Sequence, residues 1–501
     1  MRSTVNDIDA IDADSAHATV PVPPDDPAVP LCVDLDGTLV KSDTLLDTVL
    51  ALVRQHPSAL LRIPAWLLKG KAAFKANVTS AVTLDTAHLP YNQPLLHFLS
   101  AQHATGRKLY LATAADATLA RRIAAELGIF EDVLASDGIL NLAGGNKLQA
   151  FQRRFAEAPA NGRFDYIGNA MPDVPLLTHA NVAMLANPVV GLKRALRAKG
   201  LAPVREFDDS APLSASFLKA IRLHQWAKNV LIFLPLLLAH SVGVRAVLHA
   251  ALAFLSFSLC ASSTYIVNDL LDIDADRRHP KKRRRPFASG DLSPLAGVAV
   301  ILAFLAISAG IAMLLPGKFL FWLAAYTVVT LAYSLRLKRM VLVDVIVLSG
   351  LYTLRILAGS AATNIPISPW LAGFCIFFFL SLAIVKRFSE LTNLRALGSA
   401  PANGRGYLIN DIEQMRSFGT ASAYASVVVF TLYINNPEVL KLYQHPQRLW
   451  LLAPILILWI SRVWLLASRG DLDEDPVIFA LTDRRSMLLG LLGAAVVWLA
   501  L

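Results

Sequence analysis

The chain has 501 residues, of which 55% are hydrophobic and 17% charged, with a formal net charge of +10. That length exceeds one ordinary domain, and the apolar fraction excludes an entirely soluble protein. The basic residues lie between apolar runs, which points to membrane topology and phosphate binding, so no nucleic-acid partner is expected. Cys32, Cys260 and Cys375 stand far apart and away from any histidine cluster, and neither a disulfide framework nor a zinc site is expected.

In chain order, residues 1–28 are rich in aspartate and proline and lack a basic stretch followed by an apolar one. They read as a disordered tail, not a cleaved leader, which leaves the domain after them in the cytoplasm. Residues 29–205 mix charges and apolar runs as a soluble domain does, whereas 215–501 is dominated by long apolar stretches.

Val29 to Val33 is an apolar run ending in Asp34-Leu35-Asp36-Gly37-Thr38, a short buried strand that delivers two carboxylates into a glycine turn. Such a pair suits phosphoryl chemistry: one carboxylate attacks phosphorus, the other protonates the leaving oxygen, and both lie close enough to share a divalent cation. A second apolar strand, Lys108 to Ala112, ends at Thr113. Lys147 then opens a helix after Gly144-Gly145, and Asp165-Tyr166-Ile167-Gly168-Asn169 precedes Asp173. This order resembles the haloacid dehalogenase superfamily. The resemblance implies an α/β Rossmann-like domain with a small helical cap, with Asp34 as nucleophile and Asp36 as acid/base. It further implies that Thr113 and Lys147 hold the phosphoryl group and Asp173 holds magnesium. Asn169 stands where the family has an aspartate after the glycine, which implies a weaker hold on magnesium, with a degenerate or regulatory domain as the alternative. Residues 45–100, with Leu45, Leu46, Val49, Leu50 and Val53 at helical spacing, read as the cap.

Nine apolar runs follow that approach the roughly 20 residues needed to cross a bilayer, at 229–243, 246–267, 294–315, 319–336, 341–363, 368–386, 417–434, 449–467 and 486–501. With the N-terminal domain inside, the inner loops hold the Arg277–Arg285 cluster, Arg336, Lys338, Arg339, Lys386, Arg387 and Arg484, while the outer loops hold only Arg245, Lys318 and Lys441. The asymmetry predicts an all-helical, multi-pass bundle of about nine spans in a cell inner membrane.

The second run passes directly into Asn268-Asp269-Leu270-Leu271-Asp272-Ile273-Asp274-Ala275-Asp276. Asn268, Asp269, Asp272 and Asp276 share one face if the helix continues, and a divalent cation, best magnesium, would relieve the repulsion of such a stripe. Asp274 points elsewhere and reads as solvated. In the basic stretch that follows, Arg285 is the expected substrate contact, the others serving in part as a topogenic loop. Asp344, ionisable at membrane depth, is a candidate functional residue, with pairing to a nearby arginine as the alternative. Lys228, Asn229, Tyr333, Lys338, Asp344, Lys386, Arg387 and Glu390 are all expected on the same cytoplasmic face. Arg355 lies deeper and must face the bundle interior.

The aspartate series followed by Arg285-Pro286-Phe287-Ala288-Ser289-Gly290 resembles the UbiA prenyltransferase superfamily over about 215–501. The resemblance implies a helical bundle with a central cavity, magnesium on the aspartates, a diphosphate co-substrate and an isoprenoid lipid entering from the bilayer. The second aspartate pair of its aromatic prenyltransferases is absent. Tyr333-Ser334-Leu335-Arg336-Leu337-Lys338, the lone Asp344, Lys386-Arg387-Phe388-Ser389-Glu390 and His224-Gln225-Trp226-Ala227-Lys228-Asn229 are similar to the decaprenyl-phosphate phosphoribosyltransferase branch. That branch implies transfer of 5-phosphoribosyl from phosphoribosyl diphosphate to a polyprenyl phosphate. Lys338, Lys386, Arg387 and Lys228 would then grip phosphates, and Asp344 would stabilise the sugar cation or complete the metal shell. The alternatives are prenyl transfer from a prenyl diphosphate to an aromatic acceptor, and a membrane-anchored phosphatase.

Overall fold

The computed structural model describes residues 26–137, 139–157, 161–240, 243–396, 405–472 and 476–501; the expected N-terminal tail lies, up to residue 25, outside the described residues. Two units are distinguished: Met1–Pro212 with Asp274–Arg284 and Ala288–Ser293, and Leu213–Ile273 with Arg285–Phe287 and Pro294–Leu501.

The first unit is an α/β domain. Its strands are β1 (Leu31–Val33), β2 (Leu109–Asp116), β3 (Asp132–Ser136), β4 (Asp165–Gly168), β5 (Ala183–Ala186) and β6 (Arg205–Phe207). They form one parallel sheet in the order β3-β2-β1-β4-β5-β6. Its central strands read as continuous apolar runs because helices cover both faces. The chain reverses its direction of travel at β1, and the crevice at the carboxyl end of such a switch point is where ligands bind in open α/β sheets. Asp34 and Asp36 follow β1 there. β2 is longer than expected and carries Thr113 inside it rather than at its end.

Helices α1 (Thr44–Gln55), α2 (Ile63–Leu68) and α3 (Lys71–Ala81) make the cap. Asp43 caps α1 by accepting from the amides of Leu45 and Leu46 at 2.9 and 3.1 Å. The cap is smaller than the expected 45–100, because α4 (Gln93–Ala104) buries Leu95 and Leu99 among core residues such as Leu31 and Leu109. Helices α5 (Ala117–Leu127), α6 (Gly145–Arg154), α7 (Val174–His179) and α8 (Leu192–Arg197) complete the layers. Within this unit Arg277 is buried and bonds Asp47 at 2.9 Å. Asp274 is paired with Arg54, not left to solvent as expected.

The second unit is all helical: α9 (Leu213–Ile221), α10 (Leu234–Leu238), α11 (Val244–Leu271), α12 (Ile273–Arg278, shared with the first unit), α13 (Pro294–Met313), α14 (Gly317–Leu335), α15 (Val343–Thr363), α16 (Pro369–Ala396), α17 (Ile412–Ile434), α18 (Pro437–Leu440), α19 (Leu452–Arg469), α20 (Pro476–Thr482) and α21 (Arg484–Ala500). Among the described residues seven helices are long and apolar enough to cross a membrane. Two of the nine expected spans differ. The first is a 3-10 segment, Leu223–Phe233, followed by the five-residue α10. Pro235 cannot supply the amide that would continue a helix through it. The last, α21, has 17 residues, about 26 Å at 1.5 Å per residue, short of a hydrocarbon core of roughly 30 Å.

Helix α15 sits at the centre, against α14, α16, α11 and the 3-10 segment. Close approach is possible because Gly359 has no side chain: a Cβ there would lie 2.1 Å from the carbonyl oxygen of Ile232. Gly359→Ala is therefore expected to force the segments apart and cost about 1–3 kcal/mol, read as a lower thermal midpoint of the detergent-purified chain. Gly350→Ala in the same helix meets nothing within 4 Å and serves as the neutral control.

Candidate active sites

In the first unit the carboxyl end of the sheet gathers the expected phosphohydrolase residues. The Lys147 ammonium lies 2.8 Å from Asp34 Oδ1, 3.1 Å from the Tyr166 hydroxyl and 3.6 Å from Asp173 Oδ1. Gly144 (φ +54°) turns the chain into α6 so that this lysine points inward. Thr113 is buried, its Oγ1 accepting from the Ala115 amide at 2.9 Å. Asp36 Oδ1 accepts from the Thr44 amide at 2.7 Å.

Burial pushes the Asp34 carboxyl up to about 6 against the opposing charge of Lys147. Burial, with the charge of Asp43, pushes Asp36 to about 7. Burial would lower Lys147, but Asp34 and Asp173 outweigh it and hold the ammonium above its ordinary range.

Asp173, the residue expected to hold magnesium, has both oxygens in hydrogen bonds. Its Oδ1 accepts from Tyr166 at 2.8 Å and its Oδ2 from the amides of Asn169 and Ala170, both at 3.1 Å. It therefore shapes the loop and leaves the outward position to Asn169, whose buried Oδ1 has no hydrogen-bond partner. Gly37 allows this amide in, since a Cβ there would meet Asn169 Nδ2 at 2.0 Å. An orphaned amide oxygen against Gly37, in the turn that follows Asp34, fits a hard divalent cation. Tyr166, which bridges Lys147 and Asp173, went unread because it looks like any inward residue of a buried strand.

In the second unit the acidic residues lie at helix ends, each against a cation. Helix α11 stops at Leu271 and Asp272 is its C-cap, so the expected continuous stripe is broken. Asp276 is buried and belongs to the first unit. Among the described residues no three histidine, cysteine or acidic groups gather as a metal cluster. Asp269 is bonded instead by Arg222 at 2.5 Å and Arg285 at 3.0 Å. The Lys338 ammonium occupies the point on which Asp272 (3.0 and 3.3 Å) and Asn268 Oδ1 (3.5 Å) converge. Hard oxygens already directed at one cation fit magnesium, which takes few protein carboxylates and completes its shell with water and phosphate oxygens. Arg222 went unread because it lies before the first apolar run, after the short α9.

Asp344 is fully buried at the start of α15. Its Oδ2 accepts from Arg387 Nε at 2.7 Å and its Oδ1 from the Tyr407 hydroxyl. Both oxygens are thus engaged, as the alternative of a paired arginine expects: Asp344 holds Arg387. The same guanidinium reaches Glu390 and, at 3.5 Å, the Tyr333 hydroxyl. Deeper, Arg355 donates to Asn229 Oδ1 at 2.8 Å and stacks with Tyr326, Tyr352 and Phe257. Lys228 lies over the Tyr352 ring at 5.7 Å. Asn229 is thereby tied to Arg355 and to Ser258 (2.9 Å).

An apolar helical bundle with seven helices long enough to cross a bilayer, and with paired aspartates, arginines and lysines at helix ends, defines an integral-membrane protein. The UbiA prenyltransferase family pattern matches residues 229–489, and the chain belongs to that family as a transferase. An uncharacterized protein, y4nM, of Sinorhizobium fredii is 39% identical over 475 residues, 94% of this chain and 90% of that protein. The decaprenyl-phosphate phosphoribosyltransferase of Mycobacterium tuberculosis is 34% identical over 295 residues, 57% of this chain and 94% of that enzyme. Among solved structures, a UbiA homolog from Archaeoglobus fulgidus bound to GPP and Mg2+ aligns with a TM-score of 0.44 at 18% identity, covering 56% of this chain and 99% of that one.

The buried Arg387–Asp344 pair yields a direct test. Asp344→Ala strands a buried guanidinium and is expected to cost about 3–5 kcal/mol, while Asp344→Ala with Arg387→Met recovers most of the loss. Thermal unfolding of the purified variants gives the coupling, and purely additive losses would contradict the pairing.

Proposed function

We propose that the chain transfers a 5-phosphoribosyl group from phosphoribosyl diphosphate to a polyprenyl phosphate at the cell inner membrane, its N-terminal unit lying in the cytoplasm as a phosphohydrolase. The observation that carries the reading is the likeness to the mycobacterial phosphoribosyltransferase over nearly all of that enzyme's length. An excess of arginine and lysine around Asp269, Asp272 and Asp344 supports it.

In this reaction an oxygen of the lipid phosphate bonds to the anomeric carbon as the bond from that carbon to the diphosphate breaks, the diphosphate leaving with the electron pair. A phosphomonoester is already anionic near neutral pH, so no general base is needed. The closure of Asp344 is no obstacle to such a step. The charges to be held are those of two phosphates and a diphosphate, and preorganised cations are the efficient way to hold them. Lys338, Arg285 and Arg222 stand on the oxygens that also serve the metal, and present N–H groups to the diphosphate. Asn268, Asp272 and Asp269 would hold magnesium, which supplies charge neutralisation at the leaving group. Arg387, fixed by Asp344, Glu390 and Tyr333, grips the lipid phosphate with Lys386 and Lys228. An apolar cavity of about 540 Å³, lined by residues including Leu234, Phe378, Phe379, Leu456 and Trp459, accepts the isoprenoid.

The test is incubation of the detergent-purified chain with radiolabelled phosphoribosyl diphosphate and polyprenyl phosphates of several lengths. Labelled lipid is expected, falling about 10²-fold or more in Asp272→Ala. No labelled lipid at any length, with prenylation of an aromatic acid from a prenyl diphosphate instead, contradicts it.

The product would carry a sugar 5-phosphate, and the first unit is suited to remove it. Asp34 attacks phosphorus, Asp36 protonates the departing alcohol, and water then cleaves the aspartyl phosphate. Fusion raises the local concentration of such a product. Asp34 must be ionised and Asp36 protonated, with carboxyls at about 6 and about 7. Phosphomonoester kcat/KM is thus expected to peak between those values, falling below as Asp34 takes a proton and above as Asp36 loses one. A profile rising steadily to pH 9 would assign the roles wrongly.

A further inference from the structure

We propose that Lys75 of the cap recognises a second anionic group, of the phosphodiester class, on the leaving-group side of the phosphomonoester held at Asp34; the proposal rests on the phosphohydrolase reading and names the substrate class for that site.

The residue sits mid-way along α3 and reaches out of the cap. Its ammonium donates to the Ala114 carbonyl at 2.6 Å and to Asn141 Oδ1 at 3.1 Å. Ala114 follows Thr113 in β2, and Asn141 lies in the loop that leads to α6 and Lys147. Lys75 is therefore positioned by the same two segments that carry the phosphoryl-binding groups, but from the opposite, cap side.

Among the described residues Lys75 has no carboxylate in direct contact, and two of its three N–H groups are used on neutral oxygens, leaving one donor. A partly buried cation whose direct contacts are all neutral, its nearest carboxylates acting only at longer range, is costly, and the cost is relieved by an anion arriving with the ligand. Burial lowers its pKa, opposed by the carboxylates of Asp36 and Asp43, and the charge of Lys71 adds to the lowering. Lys71 lies one turn earlier on the same face of α3, so the cap presents two cations.

The phosphoryl group itself is served by Lys147 and Thr113. A neutral leaving group would leave Lys75 without a counter-ion. A leaving group with its own phosphodiester supplies one negative charge and acceptor oxygens for the remaining N–H. A phosphorylated sugar joined through its anomeric carbon to a lipid phosphate is of this class.

The full chain in lipid nanodiscs is titrated calorimetrically with two probes: a five-carbon diol monophosphate, and the same diol phosphorylated at one end with a methyl phosphodiester at the other. The wild type should bind the second probe about tenfold more tightly. In Lys75→Met the ratio of the two Kd values should collapse to within about twofold, and in Lys75→Arg it should largely persist. Lys75→Gln, which keeps a donor without the charge, should behave as Lys75→Met and covers the case in which that variant folds poorly. A wild-type ratio near one, or a ratio unchanged in Lys75→Met and Lys75→Gln, overturns the proposal. Phosphate release from the same probes is measured separately: its absence would sink the hydrolytic reading while a Lys75-dependent binding ratio stood.

Discussion

A carboxylate taken out of water must be matched by a cation or protonated, and the second unit is organised around the first solution. Asp269 lies against Arg222 and Arg285, Asp272 against Lys338, and Asp344 against Arg387. The pairing fixes where the helix ends come together, because an arginine on α16 and an aspartate on α15 cannot both be buried unless those helices pack. Gly359 then lets the 3-10 segment approach α15 closely enough for Asn229 to meet Arg355. The cations that neutralise the acids are the groups a polyphosphate requires. On the proposed function, stability and substrate binding would draw on one set of side chains.

The first unit applies the same constraint differently. Lys147 stands between Asp34 and Asp173, so two buried carboxylates share one ammonium while Tyr166 braces the second acid. Asp173 spends its remaining oxygen on two backbone amides. The position facing the site passes to Asn169, which offers an oxygen without a charge. A neutral ligand there weakens the attraction for a cation but does not remove the oxygen donor. Arg107, buried against Asp165 at the start of β4, repeats the pairing at the other end of the strand.

Much of this was legible in the residues. The apolar runs before Asp34 and Thr113 marked β1 and β2, and the glycines at 144 and 145 marked the entry to the helix bearing Lys147. Strands β3 to β6 were not singled out, because segments of three to five residues carry no period of their own. In the bundle, hydropathy located the long spans but overcounted at both ends, where Pro235 and the short α21 interrupt or curtail a run that composition alone treats as continuous. Asp344 stood out as a charge at depth, yet its role depends on Arg387 and Tyr407, 43 and 63 residues away. Pairings at such separations leave no local signal. For the same reason Arg222 and Lys75 were invisible until folding placed their ammonium and guanidinium groups.

Asn268, Asp272 and Lys338 are the proposed place for a diphosphate and its cation. The most direct measurement is a structure of the full chain in a nanodisc with magnesium and phosphoribosyl diphosphate. The diphosphate is expected beside Asn268 and Asp272, with the Lys338 ammonium moved from carboxylate to phosphate oxygen. Diphosphate bound elsewhere in the bundle, with Lys338 still seated on Asp272, would contradict it.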